Sequence, residues 1–221
     1  MASTTLLGLS LTLTPPLLTL LRLSPLLSST ASLTHAYMEL VTTSSFLAAA
    51  PTTSALTTTI TKNPATPTST LSAASGAALE SAKDLAIPAW FTNFFNRALW
   101  SVIGFNTITT CTAAANLFLF PLSQTSAPDT LFAPKNLYAA GLVFAIGHYV
   151  GVPLVAPSVE ALMKMCVEQE KGGKEVMEAK KEKGKARELL AQWVGVHKVR
   201  MGTVDLWAWC CFTIGAVGAL S

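Results

Sequence analysis

Apolar residues gather in long blocks along this chain, and the polar positions between them are few and clustered. Blocks of that length predict helices. Three of them approach the roughly 20 predominantly apolar residues that a helix needs to cross a bilayer. They run from Arg97 to Phe120, from Leu137 to Val155 and from Thr203 to Leu220. Pro121 closes the first, and only Asp205 interrupts the apolar character of the last. Two weaker candidates precede them. Residues 4–27 are Leu-rich but carry Pro15-Pro16, a pair that kinks or breaks a helix. Residues 33–60 are rich in Ser and Thr and meet Pro51. Hydroxyls are tolerated in membrane helices when they bond the preceding turn or a neighbouring helix. Residues 61–96, punctuated by Pro64, Pro67 and Pro88, read as a loop. The expected fold is all-α, a polytopic transmembrane helical bundle of four core helices with room for a fifth at the N-terminus. The expected organisation is an N-terminal region 1–60 with one or two membrane helices, a loop 61–96, and a membrane bundle 97–221.

Composition sharpens this picture. The chain has 221 residues, 51% hydrophobic and 12% charged, against about 25% charged in soluble domains. The mean hydropathy is +0.47. An ordinary soluble enzyme is unlike this, and so are collagenous, disulfide-stapled and charge-rich disordered chains. Residues 1–75 hold 30 Ser and Thr but only three charges, Arg22, Glu39 and Lys62. That poverty of acids also suits a transit peptide, though a single Arg is meagre for one. Most of the charge lies in 158–200, with 10 of the 15 Lys and Arg and 7 of the 12 Asp and Glu. Basic loops stay cytoplasmic, which places 123–135 and the C-terminus on the lumenal side. The endoplasmic reticulum or another endomembrane is the default location. Membrane lipid is the expected partner, and nothing in the charge pattern suits nucleic acid. The four cysteines, Cys111, Cys166, Cys210 and Cys211, show no metal spacing. They read as small packing residues, and no metal site is expected.

Polar side chains at bilayer depth are costly, and their default reading is functional. His35 and Glu39 stand four apart, on one helix face. Asn93, Asn96 and Arg97 share a face where a span begins, with Trp100 just beyond. Asn106 and Asn116 lie deeper and read as interhelical hydrogen-bond partners. His148 sits mid-span between Gly147 and Gly151, a GxxxG spacing that usually marks close helix packing. A neutral imidazole there is a proton acceptor, as a general base must be. Trp193, His197 and Arg200 recur at helical spacing before the last span. Arg97, Arg200 and Asp205 read as topology anchors or an ion pair.

Three runs carry a resemblance. Trp90-Phe91-Thr92-Asn93-Phe94-Phe95-Asn96-Arg97 begins a span, Gly147-His148-Tyr149-Val150-Gly151-Val152-Pro153-Leu154-Val155-Ala156-Pro157 ends another, and Trp193-Val194-Gly195-Val196-His197-Lys198-Val199-Arg200 precedes the last. Together they resemble the anthrone-oxygenase-like family of small integral membrane proteins, common in fungal polyketide clusters. The resemblance covers about 90–220. The Ser/Thr-rich beginning and the charged insert 165–188 depart from the family pattern. It implies a four-helix membrane bundle and a monooxygenase of aromatic polyketide metabolism that works without metal or flavin, with dioxygen as co-substrate. Under that resemblance His148 is the expected base, Asn106 or Arg200 stabilises an oxyanion, and Trp100 and Tyr149 stack on the substrate rings. Asn96, Arg97 and His197 complete the expected substrate site. The alternative is a non-catalytic scaffold or carrier of lipophilic intermediates that holds soluble biosynthetic enzymes through its charged loop. A transporter is disfavoured, because no internal repeat is visible.

Overall fold

The computed structural model of the protein describes residues 2–48, 59–60, 73–120, 122, 131–171 and 184–221. It opens on an antiparallel hairpin, β1 (Ala2–Leu6) and β2 (Leu9–Leu13), with Ala2 opposite Leu13 and Leu6 opposite Leu9. Leu7 and Gly8 join the strands with φ of 50° and 81°, as two-residue hairpin turns require. This corrects the expected helical start at residue 4. The alternation Leu9-Ser10-Leu11-Thr12-Leu13 has the period of a strand.

Among the described residues all the remaining regular elements are helical. Helix α1 (Pro15–Ser45) runs through both weak N-terminal candidates as one element. Pro15 and Pro16 start it and do not break it, because the first turn needs no amide donors. Pro51 lies outside the described residues. Helix α2 (Ala73–Ala114) is 42 residues long and continues as a π-helical turn over Ala115–Leu119. The expected loop at 61–96 is therefore helical from Ala73. Its Ala-rich sequence with Leu, Glu and Lys has high helix propensity, and Pro88 is accommodated inside. Helix α3 (Pro134–Gly147) passes through a 3₁₀ turn (His148–Val150) into α4 (Gly151–Glu170). Helix α5 (Lys185–Arg200) passes through a second π turn (Met201–Asp205) into α6 (Leu206–Leu220). The expected charged loop at 158–200 is thus helical at both its ends, to Glu170 and from Lys185. Residues 172–183 lie outside the described set.

Among the described residues three stretches are long and apolar enough to cross a membrane: Ala78–Leu119, Pro134–Glu170 and Lys185–Leu220. The chain is all-α, and these helices mark an integral membrane protein. It divides into two compact units. One holds Met1–Glu39, Arg97–Leu154 and Val196–Ser221; the other holds Leu40–Asn96 and Val155–Gly195.

In the first unit α3 and α6 run antiparallel in close contact. The contact is built from glycines facing rings. A Cβ on Gly141 would lie 2.7 Å from the Phe212 ring, and one on Gly215 would lie 2.9 Å from the Tyr138 ring. The two rings meet edge to face with centroids 5.7 Å apart. Close backbone approach of this kind holds membrane helices together where burial from water gives no drive. Gly147, of the expected close-packing pair, lies against Val204, 2.8 Å from where its Cβ would be. Hydroxyls behave as expected of a membrane helix. Thr109 and Thr112 donate to carbonyls four residues back, and Ser28 and Thr109 bond each other at 2.7 Å.

Pro25 shows how a break is tolerated. Lacking an N–H, it leaves the Leu21 carbonyl without its intrahelical donor. Asn116, fully buried in the first π turn, donates its Nδ2 to that carbonyl at 2.8 Å. Tyr138 donates its hydroxyl to the adjacent Arg22 carbonyl.

The second unit packs Ile87, Phe91, Leu162, Leu190 and Trp193 into a buried apolar core. The aromatic run beginning at Trp90 is largely absorbed here. Phe91 meets Trp193 edge to face at 5.6 Å, and Trp90 stacks on Phe94 at 5.1 Å. Asp84 caps α5: its carboxylate accepts the Gly184 amide at 2.6 Å and the Arg187 amide at 3.0 Å. The neighbouring Glu80 pairs with Arg187.

Candidate functional site

The chain has three histidines, and the first unit gathers all of them with Glu39, Arg200 and Asp205. His148 stands in the 3₁₀ turn between α3 and α4, 3% exposed. Its Nδ1 lies 2.8 Å from Asp205 Oδ1. A carboxylate accepts, so the imidazole donates from Nδ1 and its neutral form presents the Nε2 lone pair. Asp205 Oδ2 lies 3.3 Å from Arg200 Nε, an ion pair too poorly aligned for a hydrogen bond. Arg200 donates from Nη2 to His197 Nδ1 at 3.1 Å, so His197 donates from Nε2 to the Ala36 carbonyl at 2.8 Å. Glu39 joins at the far end, with Oε2 3.8 Å from His197 and Oε1 3.5 Å from His35.

The backbone explains how Asp205 enters this cluster. Residues five apart on an α-helix point about 140° apart. Between Arg200 and Asp205 the helix makes a π turn, with the Leu206 amide bonded to the Met201 carbonyl five residues back. A π turn brings positions five apart toward one face, and such turns recur at functional sites. Arg200 and Asp205 therefore pair. On the facing side, the missing side chain of Gly151 leaves space for the Arg200 stem, which passes 3.2 Å from where a Cβ would stand.

Of the residues expected from sequence, His148, Arg200 and His197 come together. Of the two readings of Arg97, Arg200 and Asp205, topology anchors or an ion pair, Arg200 and Asp205 form the pair; Arg97 takes no part and is exposed. Asn116 is an interhelical hydrogen-bond partner as expected. Asn106 is 4% exposed, but its Nδ2 has no partner, and it lines a crevice with Ser29, Thr109 and Asp205. Tyr149 is beside His148, ring centroids 5.9 Å apart, and is 44% exposed. Asn96 is exposed, and so is Trp100, at 72%; neither joins the cluster. No family model, curated protein or solved structure matches this chain.

Sequence reasoning did not pair His148 with Asp205, which lies 57 positions on. It also passed over Ser29, Ser32 and Thr109, which stand among many similar hydroxyls. Among the described residues no group of His, Cys, Asp or Glu has the geometry of a metal site. The cluster is equipped to accept, hold and return a proton in a buried setting.

Proposed function

We propose that this integral membrane protein uses His148 as a general base on a flat, apolar carbon acid, in the oxygenation of an anthrone-like substrate by dioxygen. The observation that carries the reading is the buried His148–Asp205 dyad, at 2.8 Å. Asp205 fixes the tautomer and would stabilise the imidazolium that forms. His148 Nε2 takes the proton from the carbon between the aromatic rings. The resulting carbanion passes one electron to dioxygen, and the radical pair combines to a peroxide anion that takes the proton back from the His148 imidazolium. The hydroperoxide then breaks its O–O bond, losing its remaining carbon proton and hydroxide together as water, to leave a carbonyl. Dioxygen supplies both oxygens, one kept and one leaving as water, so the chemistry asks the protein only for proton transfer and orientation. Arg200 is committed to Asp205 and His197, so its role here is positioning. Three fused rings exceed the crevice beside Asp205, which has about 10 Å³ of free volume. The substrate would approach from lipid along the half-exposed Tyr149. Aromatic polyketide metabolism in an endomembrane is the setting this reading suits.

One observation favours a second reading. The charged groups pair with one another, and the adjoining crevice has room for about one water. A scaffold or carrier, which gathers soluble enzymes and whose polar cluster only clasps helices, would look the same. Proteoliposomes separate the two. With an anthrone added, wild-type protein should form anthraquinone faster than air oxidation in empty liposomes. A rate equal to that background removes the enzyme reading and leaves the scaffold.

A further inference from the structure

The crevice beside the dyad is lined by one unmet donor and one unmet acceptor. Asn106 Nδ2 and Asp205 Oδ2 are both buried and without a hydrogen-bond partner. Their residues are 4% and 9% exposed, on α2 and in the second π turn. Of the three lining hydroxyls, Ser29, Ser32 and Thr109, two have already spent their protons. Ser29 donates to the Leu26 carbonyl at 3.0 Å, and Thr109 donates to the Phe105 carbonyl at 2.8 Å. Each hydroxyl oxygen still has a lone pair to accept with. The cavity volume open to the centre of a water-sized sphere, about 10 Å³, is about that needed to hold one water.

We propose that this crevice is a binding site for one ordered water, which accepts from Asn106 Nδ2 and donates to Asp205 Oδ2. Its second proton goes to the Ser29 or Thr109 oxygen, giving the three bonds typical of a buried water. The alternatives fit less well. A monovalent cation would face the Arg200 guanidinium, 3.3 Å from the same carboxylate oxygen. Dioxygen is apolar and satisfies neither orphan. The water completes the second oxygen of Asp205 while His148 holds the first. The carboxylate is then fixed at both ends whatever reaction the dyad serves, so the inference stands apart from the oxygenase reading.

The test is infrared difference spectroscopy of the full chain in lipid, comparing H₂¹⁶O with H₂¹⁸O. A bound water gives an O–H stretching band, distinct from bulk water, that moves to lower frequency with the heavier isotope. We expect that band in wild type, its complete loss in Asn106→Leu, and its retention in Asn116→Leu, which alters a different asparagine. No isotope-shifted band in wild type, or an unchanged band in Asn106→Leu, overturns the proposal. If Asn106→Leu does not fold, Asn106→Ser, which keeps a donor on a shorter side chain, should displace the band in frequency. A band that stays in place there also overturns it. Melting in Na⁺ and in K⁺ at equal ionic strength should agree, and selective stabilisation by Na⁺ would assign the crevice to a cation instead. None of these readouts depends on turnover.

Discussion

Replacing Asn116 by Leu removes the one side-chain donor seen to reach the Leu21 carbonyl. In an unbroken helix the amide four residues on would take over, but here that residue is Pro25, which has none. The carbonyl is left bare in the fully buried surroundings of Asn116. Interhelical hydrogen bonds in membranes contribute about 0.6 kcal/mol on average and about 1.7 kcal/mol at most, because their partners are usually replaced. A buried acceptor without a replacement costs about 1–3 kcal/mol. Since Pro25 forbids replacement, the upper part of the membrane range applies, and we expect Asn116→Leu to cost about 1.5 kcal/mol. Leu also crowds the site, so the single variant is ambiguous, and a double-mutant cycle resolves it. Pro25→Ala gives position 25 an amide that can bond the Leu21 carbonyl. In that background Asn116→Leu should cost about 1 kcal/mol less, while any crowding term cancels. Unfolding in mixed micelles, followed by circular dichroism against detergent composition, measures both. An Asn116→Leu cost equal in the two backgrounds to within about 0.4 kcal/mol would refute the link between the proline and the amide.

Other outcomes follow from the same geometry. Gly215→Leu and Gly141→Leu should each lower stability in micelles by about 1–3 kcal/mol or more, because the side chain must displace the Tyr138 or Phe212 ring; Gly151→Ala should cost less, since it meets only the flexible Arg200 stem. Asp84→Ala should cost about 1 kcal/mol through loss of the α5 cap, seen as faster amide exchange at Gly184 and Arg187. Nitrogen-15 NMR of the protein in lipid should find the neutral form of His148 protonated at Nδ1, and an Nε2–H tautomer would contradict the hydrogen bond to Asp205. On sealed microsomes, protease added outside should cut within 165–188, and protection there would reverse the assigned orientation.

Hydropathy located the three long spans because block length survives any detail of packing. It misjudged the first residues, where a Leu-rich composition hid the two-residue period of Leu9-Ser10-Leu11-Thr12-Leu13. It also misjudged Pro15-Pro16 and Pro88. Proline breaks a helix only where its missing amide or its ring has no accommodation, and tertiary partners such as Asn116 beside Pro25 are invisible in sequence. At the site, His148 was legible as a lone imidazole at depth. Its partner Asp205 was legible only as a candidate ion-pair partner of Arg200; that the same carboxylate also reaches His148, 57 positions away, is announced by no residue type. The aromatic start of the middle span was legible as a cluster, yet Phe91 serves the apolar core of the second unit with Trp193.

The measurement closest to the central claim is the rate of anthrone oxidation by proteoliposomes holding equal amounts of folded wild type, His148→Ala or His197→Ala, corrected for air oxidation. If His148 is the base, His148→Ala should lose about 10²–10⁴-fold while melting near the wild type. His197→Ala frees the Ala36 carbonyl and the Arg200 guanidinium, so it should lose stability with a smaller rate loss per folded molecule. A wild type that outruns air oxidation and a His148→Ala variant that matches it would contradict the assignment of the base.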